Sequence, residues 1–137
     1  MGRFSIEVEL ANLADVLGAT NGQLSPEKVR RAIVRGVVDT GATRLVLPES
    51  VVKQLGLEIA GTIKVKYADL RTAERAVARY VHLKYGGREG AFTATVEPDR
   101  QTALIGAIVL EDLDFVVDCT AGRLVPRDPK QIISEEE

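Results

Sequence analysis

The stretch Val37-Val38-Asp39-Thr40-Gly41-Ala42-Thr43-Arg44-Leu45-Val46-Leu47-Pro48 decides how the rest of the chain is read. An apolar run ends on an acid, followed by a hydroxyl residue, Gly and Ala, before hydrophobic residues resume. A buried strand here delivers a carboxylate into a tight turn. Gly41 suits a backbone that turns where a Cβ would clash, and Thr40 and Thr43 offer hydroxyls to a local hydrogen-bond network. An acid this close to an apolar strand is costly unless it is hydrogen-bonded or has a task. Taken alone, Asp-Thr-Gly fits an ordinary Asp capping its own turn better than a catalyst, because short motifs match often by chance.

Working outward, Phe4 to Leu10 alternates apolar and polar as a half-buried strand does. Residues 12 to 24 lose that period and carry Gly18, Asn21 and Gly22, so a loop or short excursion is expected. Ser25-Pro26-Glu27 has the look of a helix start. The Val- and Ile-rich run from Val29 to Val38 favours instead a strand entered through a turn at Ser25-Pro26. Glu49 to Gly56 reads as a short helix with an acid at its start, Lys53 late and Gly56 to close it. Strands are expected over Ile63–Tyr67, Arg75–Tyr85 and Phe92–Val96, the first two forming a long hairpin with its tip near Asp69-Leu70-Arg71. Gly86-Gly87 marks a turn. Leu104-Ile105-Gly106 is a short apolar run stopped by Gly, with one or two helical turns expected over Ala107–Leu113 and a last hairpin across Thr120-Ala121-Gly122. Many short strands with little helix indicate an all-β barrel or sandwich.

Length and composition set further bounds. The 137 residues, 45% hydrophobic and 28% charged, suit one domain able to bury a real core. No apolar run is long enough to span a bilayer, so no membrane partner is expected. A net charge of −2 argues against a nucleic-acid partner. Met1-Gly2-Arg3-Phe4 shows neither a secretory h-region nor a myristoylation pattern. One Cys excludes an internal disulfide and fits a reducing, cytoplasmic setting. One His and one Cys leave too few ligands for structural zinc, and no metal or other cofactor is expected.

Two features in order carry a resemblance: Val-Asp-Thr-Gly-Ala-Thr at 38–43 with its apolar run, Pro48 and short helix, and the downstream Leu104-Ile105-Gly106 opening another helix. Together they resemble the retropepsin-like (retroviral-type) aspartic proteases, in their single-domain prokaryotic form, over about Val29 to Val125. The resemblance implies an all-β, retropepsin-like closed barrel with one or two short helices, a flap hairpin and one lobe per chain. The domain would span residues 1–126, with 127–137 a frayed acidic tail. It implies that Asp39 is the catalytic carboxylate and that Thr40 exchanges hydroxyl-to-backbone bonds across a dimer axis. Gly41 and Ala42 would complete the catalytic loop, and Leu104, Ile105 and Gly106 would support it from beneath. Tyr67, Ala68, Asp69 and Leu70 would belong to the flap over the substrate.

An acid protease of this kind activates water between two carboxylates, one ionised as base and one protonated as acid. Like charges so close share one proton. With a single Asp-Thr-Gly, the second carboxylate must come from an identical chain about a two-fold axis. The implied partners are therefore a second copy of the chain, as a homodimer, and an extended polypeptide substrate. One departure stands out, since family members commonly carry Ala-Asp-Gly at the flap bend where this chain has Ala68-Asp69-Leu70, and Leu has poor access to positive φ. That departure keeps open a dimeric peptide-binding module with the same fold and little or no catalysis. A structural β-domain with a chance Asp-Thr-Gly is the remaining alternative. Asp112, Asp114 and Asp118 read as solvated or turn-capping acids, His82 as a surface residue, and Cys119 as a bystander thiol.

Overall fold

Alternation in Phe4–Asn12 produces β1, which pairs antiparallel with β2 (Arg31–Val38) from Phe4 opposite Val38 to Ala11 opposite Arg31. The computed structural model describes residues 3–137; Met1 and Gly2, the start of the segment read above for signal and myristoylation patterns, lie outside the described residues. The remaining strands are β3 (Leu45–Pro48), β4 (Glu58–Lys66), β5 (Thr72–Tyr85), β6 (Arg88–Glu97), β7 (Ala103–Ile105), β8 (Phe115–Asp118) and β9 (Arg123–Pro126). The main sheet runs in the order β1-β2-β7-β3-β6-β5-β4, and β1 also pairs with β5. Six strands thus close into a barrel, while β4 extends outside it as the free arm of the β4–β5 hairpin. β8 and β9 form a separate two-stranded ribbon.

Closure explains a feature that alternation alone could not place. Val77, Ala78, Val81 and Leu83 are all buried in β5, which no strict two-residue period allows. The register of β5 against β6 slips between Ala78 and Val81, and Tyr80 there has φ of 67°. The bulge bends β5 so that its first half pairs with β4 and its second half reaches β1, with Val81 opposite Asn12. Bulges increase local twist and bend the strand that carries them, which a small barrel needs. Inside, Val8, Leu10, Leu45, Leu47, Val81, Leu83 and Ile105 are each at most 1% exposed. Burying one such side chain contributes roughly 1.5–3 kcal/mol.

The helix count exceeds the expected one or two. There are three α-helices, α1 (Leu13–Thr20), α2 (Glu49–Leu55) and α3 (Ala107–Leu113), and a 3-10 turn over Pro26–Lys28. The loop or short excursion expected over residues 12 to 24 holds a helix instead: Asn12 caps α1, accepting a hydrogen bond from the Asp15 N–H at 3.1 Å, with Asp15 in the first turn. That cap was the readable signal, since Asn followed by an acid in the first turn opens a helix. Gly18, Asn21 and Gly22, residues that favour turns, mask it. α2 ends as its sequence suggests, on Gly56 at φ 61°.

Two buried polar side chains tie these elements together. Asn12, 5% exposed, also donates from Nδ2 to the Leu55 carbonyl at 2.9 Å and to the Gly56 carbonyl at 3.2 Å, so one residue caps α1 and satisfies the end of α2. Arg88, 8% exposed, donates from Nη1 to the carbonyls of Leu113 and Asp114 at the end of α3. Its guanidinium also lies 5.0 Å from the Phe115 ring centre. Beyond β9 the chain carries no helix or strand, but Arg127 pairs with Asp114 at 2.8 Å and Gln131 accepts from Arg88.

Asn12→Ala is expected to destabilise the fold by about 2 kcal/mol, because it leaves buried carbonyls without a donor. In a chain of this size that is a fall of roughly 7 °C in Tm by calorimetry. Asn12→Asp, which keeps the acceptor for α1 and loses the donor to α2, should lose at least as much. A neutral Asp variant would show that the α1 cap carries the stability.

Candidate active site

At the end of β2, the main chain of Val37 and Val38 lies parallel to Leu104 and Ile105 of β7. This pairing aims Asp39 out of the end of the barrel. Every polar group of Asp39 is engaged. Its N–H donates to the Ile105 carbonyl at 3.1 Å, its carbonyl accepts from Ala42 N–H at 3.1 Å, and Oδ1 accepts from Gly41 N–H at 3.0 Å. Oδ2 lies 3.2 Å from Nη2 of Arg3, and the Asp39 side chain is 17% exposed. Asp39 therefore does cap its own turn, through the bond to the N–H two residues on. It still leaves one oxygen to an exposed counter-ion.

The requirement for Gly41 proves to be a close approach to the acid itself. A Cβ there would lie 3.2 Å from Asp39 Oδ1, and the φ of Gly41 is not positive. The hydroxyl network expected of Thr40 and Thr43 is corrected. Both residues are exposed, and neither hydroxyl makes a hydrogen bond among the described residues. The loop is closed by main-chain bonds and the Asp39 carboxylate, so the hydroxyls face outward.

Leu104-Ile105-Gly106 lies directly under this loop. Ile105 is 1% exposed in the core, and Leu104 stands opposite Val46 of β3. The Ala107 and Ile108 N–H groups, the first of α3, donate to the carbonyls of Ala42 and Thr43 at 2.8 and 3.0 Å. Helix N-termini leave such donors unpaired, and here the loop takes them. A Cβ on Gly106 would sit 2.4 Å from the Arg44 carbonyl oxygen and 2.7 Å from that of Ala42.

Across the cleft stands the β4–β5 hairpin. Its bend closes through Leu70 N–H to the Tyr67 carbonyl and Tyr67 N–H to the Arg71 carbonyl. Leu70 occupies the left-handed position at φ 71°, and its side chain is 74% exposed. A left-handed non-glycine residue costs roughly 1–2 kcal/mol, so the turn forms with Leu at the price of local strain. Asp69 accepts from Arg71 N–H at 3.0 Å, which holds its carboxyl below the usual carboxylate range. Ala68 lies in the bend between them.

Tyr67 is neither core nor free. Its hydroxyl donates to Glu97 Oε2 at 2.6 Å, and Arg75 Nε donates to Glu97 Oε1 at 2.8 Å. The Arg71 guanidinium stacks over the ring at 4.6 Å. Burial, with the Glu97 bond second, pushes the Tyr67 phenol above its ordinary value of 10.0. This tether from hairpin to barrel wall is a feature sequence reasoning missed, since Glu97 is 30 residues from Tyr67. Between the hairpin and the Asp39 loop opens a cavity of about 510 Å³, bordered by Gly41, Ala42, Thr43, Val65, Tyr67 and Leu104 among others. The acids set aside above lie elsewhere. Asp118 caps the β8–β9 turn, Asp114 ends α3, and Cys119 is exposed. His82 is corrected from surface to half-buried: its side chain is 13% exposed and lies 2.7 Å from Glu89.

Gly106→Ala is expected to lower stability by on the order of 3 kcal/mol, since backbone rather than a flexible side chain must give way. A Tm within 2 °C of wild type would overturn the close-packing account. Tyr67→Phe should speed amide hydrogen exchange at Leu70 at neutral pH by releasing the hairpin. Because the folded phenol holds its proton more tightly than the unfolded one, its contribution is complete below pH 10.0 and is lost as pH rises through the folded value. The stability gap between wild type and Tyr67→Phe should therefore shrink above pH 10.0, as followed by chemical denaturation.

Comparison with known proteins agrees with this architecture. The family model described as "Aspartyl protease" matches residues 21–117. No curated protein matches the sequence. Among solved structures, the fold is similar to that of EIAV protease complexed with the inhibitor HBY-793, at a TM-score of 0.59 and 18% identity, covering 82% of this chain and 88% of that one. The solution structure of Simian Foamy Virus (mac) protease also matches, at a TM-score of 0.49 and 16% identity, over 77% of this chain and 90% of that one. The Asp39 loop and its Gly106 support both lie inside the residues that the family model matches, and the chain belongs to the aspartyl protease family and has the retropepsin-like fold.

Proposed function

We propose that this chain is an aspartic endopeptidase that works as a homodimer and uses Asp39 as its catalytic carboxylate. The observation that carries the reading is the mounting of Asp39. Its main chain is bonded to Ile105 and Ala42 and its Oδ1 to Gly41 N–H, and the next residues of its loop, Gly41, Ala42 and Thr43, border a cavity that the hairpin faces. The cavity border supplies a single carboxylate, Glu97, which is already bonded to Tyr67 and Arg75. A water held between two carboxylates therefore needs the Asp39 of a second copy. In the dimer that partner carboxylate takes the place Arg3 holds beside Oδ2 in the single chain, and the two acids share one proton. The outward hydroxyl of Thr40 is then free to bond across the axis. Gly41 and Ala42 shape the loop, and Leu104, Ile105 and Gly106 hold it level with the cleft. Tyr67, Ala68, Asp69 and Leu70 close over an extended polypeptide. Residues 1–126 form the catalytic domain, with 127–137 outside it.

The same fold without catalysis, a dimeric peptide-binding module, rested on Leu70. The bend does close with Leu in the left-handed position, so the residue leaves the flap formed. Among the described residues no helix is long and apolar enough to cross a membrane. The exposed Cys119 suits a reducing, cytoplasmic setting.

Wild type and Asp39→Asn, incubated with a proteome-derived peptide library from mildly acidic to neutral pH, test the reading by mass spectrometry. Loss of cleavage by about 10²–10⁴-fold is expected, with the variant folded and dimeric by light scattering. Asp39→Asn mixed and refolded with wild type should also poison activity, since each dyad needs both acids. Equal cleavage by the variant would remove Asp39 from the chemistry.

A further inference from the structure

The chain as a whole is acidic, with a net charge of −2, but its cleft is not. Arg44, Lys64, Lys66 and Arg100 border the 510 Å³ cavity, against the single carboxylate of Glu97. Glu97 is unavailable as a counter-ion for them, because one oxygen takes Arg75 Nε and the other the Tyr67 hydroxyl. Lys64 stands opposite Glu74 across the hairpin, and Lys64 and Lys66 are exposed. The two arginines are different. Both are half-buried, and neither forms an ion pair among the described residues. Arg100 is held in place by donating from Nε and Nη2 to the carbonyl and hydroxyl of Thr102, which leaves three of its N–H groups unused. Arg44 follows the Asp39 loop directly.

Building on the endopeptidase reading above, we propose that Arg44 and Arg100 make this cleft selective for substrates with an Asp or Glu side chain close to the scissile bond. A half-desolvated guanidinium without a counter-ion gains from an incoming carboxylate, and its planar fork binds one through two parallel hydrogen bonds. The excess of positive charge concentrated in one concavity also draws acidic segments toward it. Two-fold symmetry would place a second such pair on the other half of the cleft, so acidic side chains are favoured on both sides of the cleaved bond.

Peptides cut from a proteome-derived library by the full chain are expected to be enriched in Asp and Glu flanking the cut. The best of them, compared with its Asn/Gln counterpart, should show kcat/KM higher by about tenfold, the scale of one charge-assisted hydrogen bond. Arg44→Gln and Arg100→Gln should each reduce that ratio and together bring it near one, with Lys at either position restoring part of it. Raising the salt to about 1 M, where the screening length is roughly 3 Å, should shrink the wild-type ratio. Cleavage with no acidic preference, or a preference that survives both substitutions, overturns the proposal and leaves the protease reading intact. If no peptide is cut, fluorescein-labelled acidic and amide peptides are compared by anisotropy. Acidic binding about tenfold tighter and lost in the double variant supports the selective cleft and counts against proteolysis. Equal binding, or none, overturns both.

Discussion

The contact between Gly106 and the carbonyls of Ala42 and Arg44 is the constraint on which the rest of the site depends. Only a residue without a Cβ lets the loop after Asp39 settle on the start of α3. Once it does, two helix donors that would otherwise face nothing find the Ala42 and Thr43 carbonyls. The loop is thus fixed from below by backbone and from within by its own carboxylate. A loop made this way is stiff without being buried, which is the condition a reacting group needs: position without loss of access.

The barrel serves that condition. The parallel pairing of β2 with β7 brings Val38 and Ile105 to the same level, so Asp39 and Gly106 leave the sheet side by side. Antiparallel strands alone would send the chain back along its neighbour and would not bring two such ends together. The bulge in β5 then closes the cylinder onto β1 while leaving β4 and the first half of β5 free to project as a hairpin. One strand therefore does two jobs, wall and flap, and the irregular step at Tyr80 separates them.

Charge is distributed with the same division. Most ion pairs lie on the outer surface, as between Arg79 and Glu58 or Arg30 and Asp15, where they contribute little individually. Within the cleft the one acid on the wall is spent on anchoring the hairpin, and the arginines near it are left without partners. An unneutralised cleft inside a chain of near-balanced charge is a feature of the three-dimensional arrangement rather than of composition.

Much of this was legible beforehand. Alternation placed β1, the apolar run into Asp39 placed β2, and Gly56 and Gly86-Gly87 marked the ends they form, because each of these is a local property of a few neighbouring residues. The Asp39 loop and the Leu104-Ile105-Gly106 run could be named as a pair only through their resemblance to a family, and the family profile matches across both. What the chain could not reveal locally was anything depending on distant residues meeting. The bulge that buries both Ala78 and Val81, the double role of Asn12 at two helices, the Tyr67–Glu97 tether and the unpaired Arg44 and Arg100 all belong to that class. Helix α1 is the exception, for its Asn12 cap was written in the sequence and was outweighed by nearby glycines. The sequence by itself determined the strands and the one acid aimed out of the barrel. Only tertiary structure decided what surrounds that acid, because burial, close approach and charge pairing are set by neighbours in space.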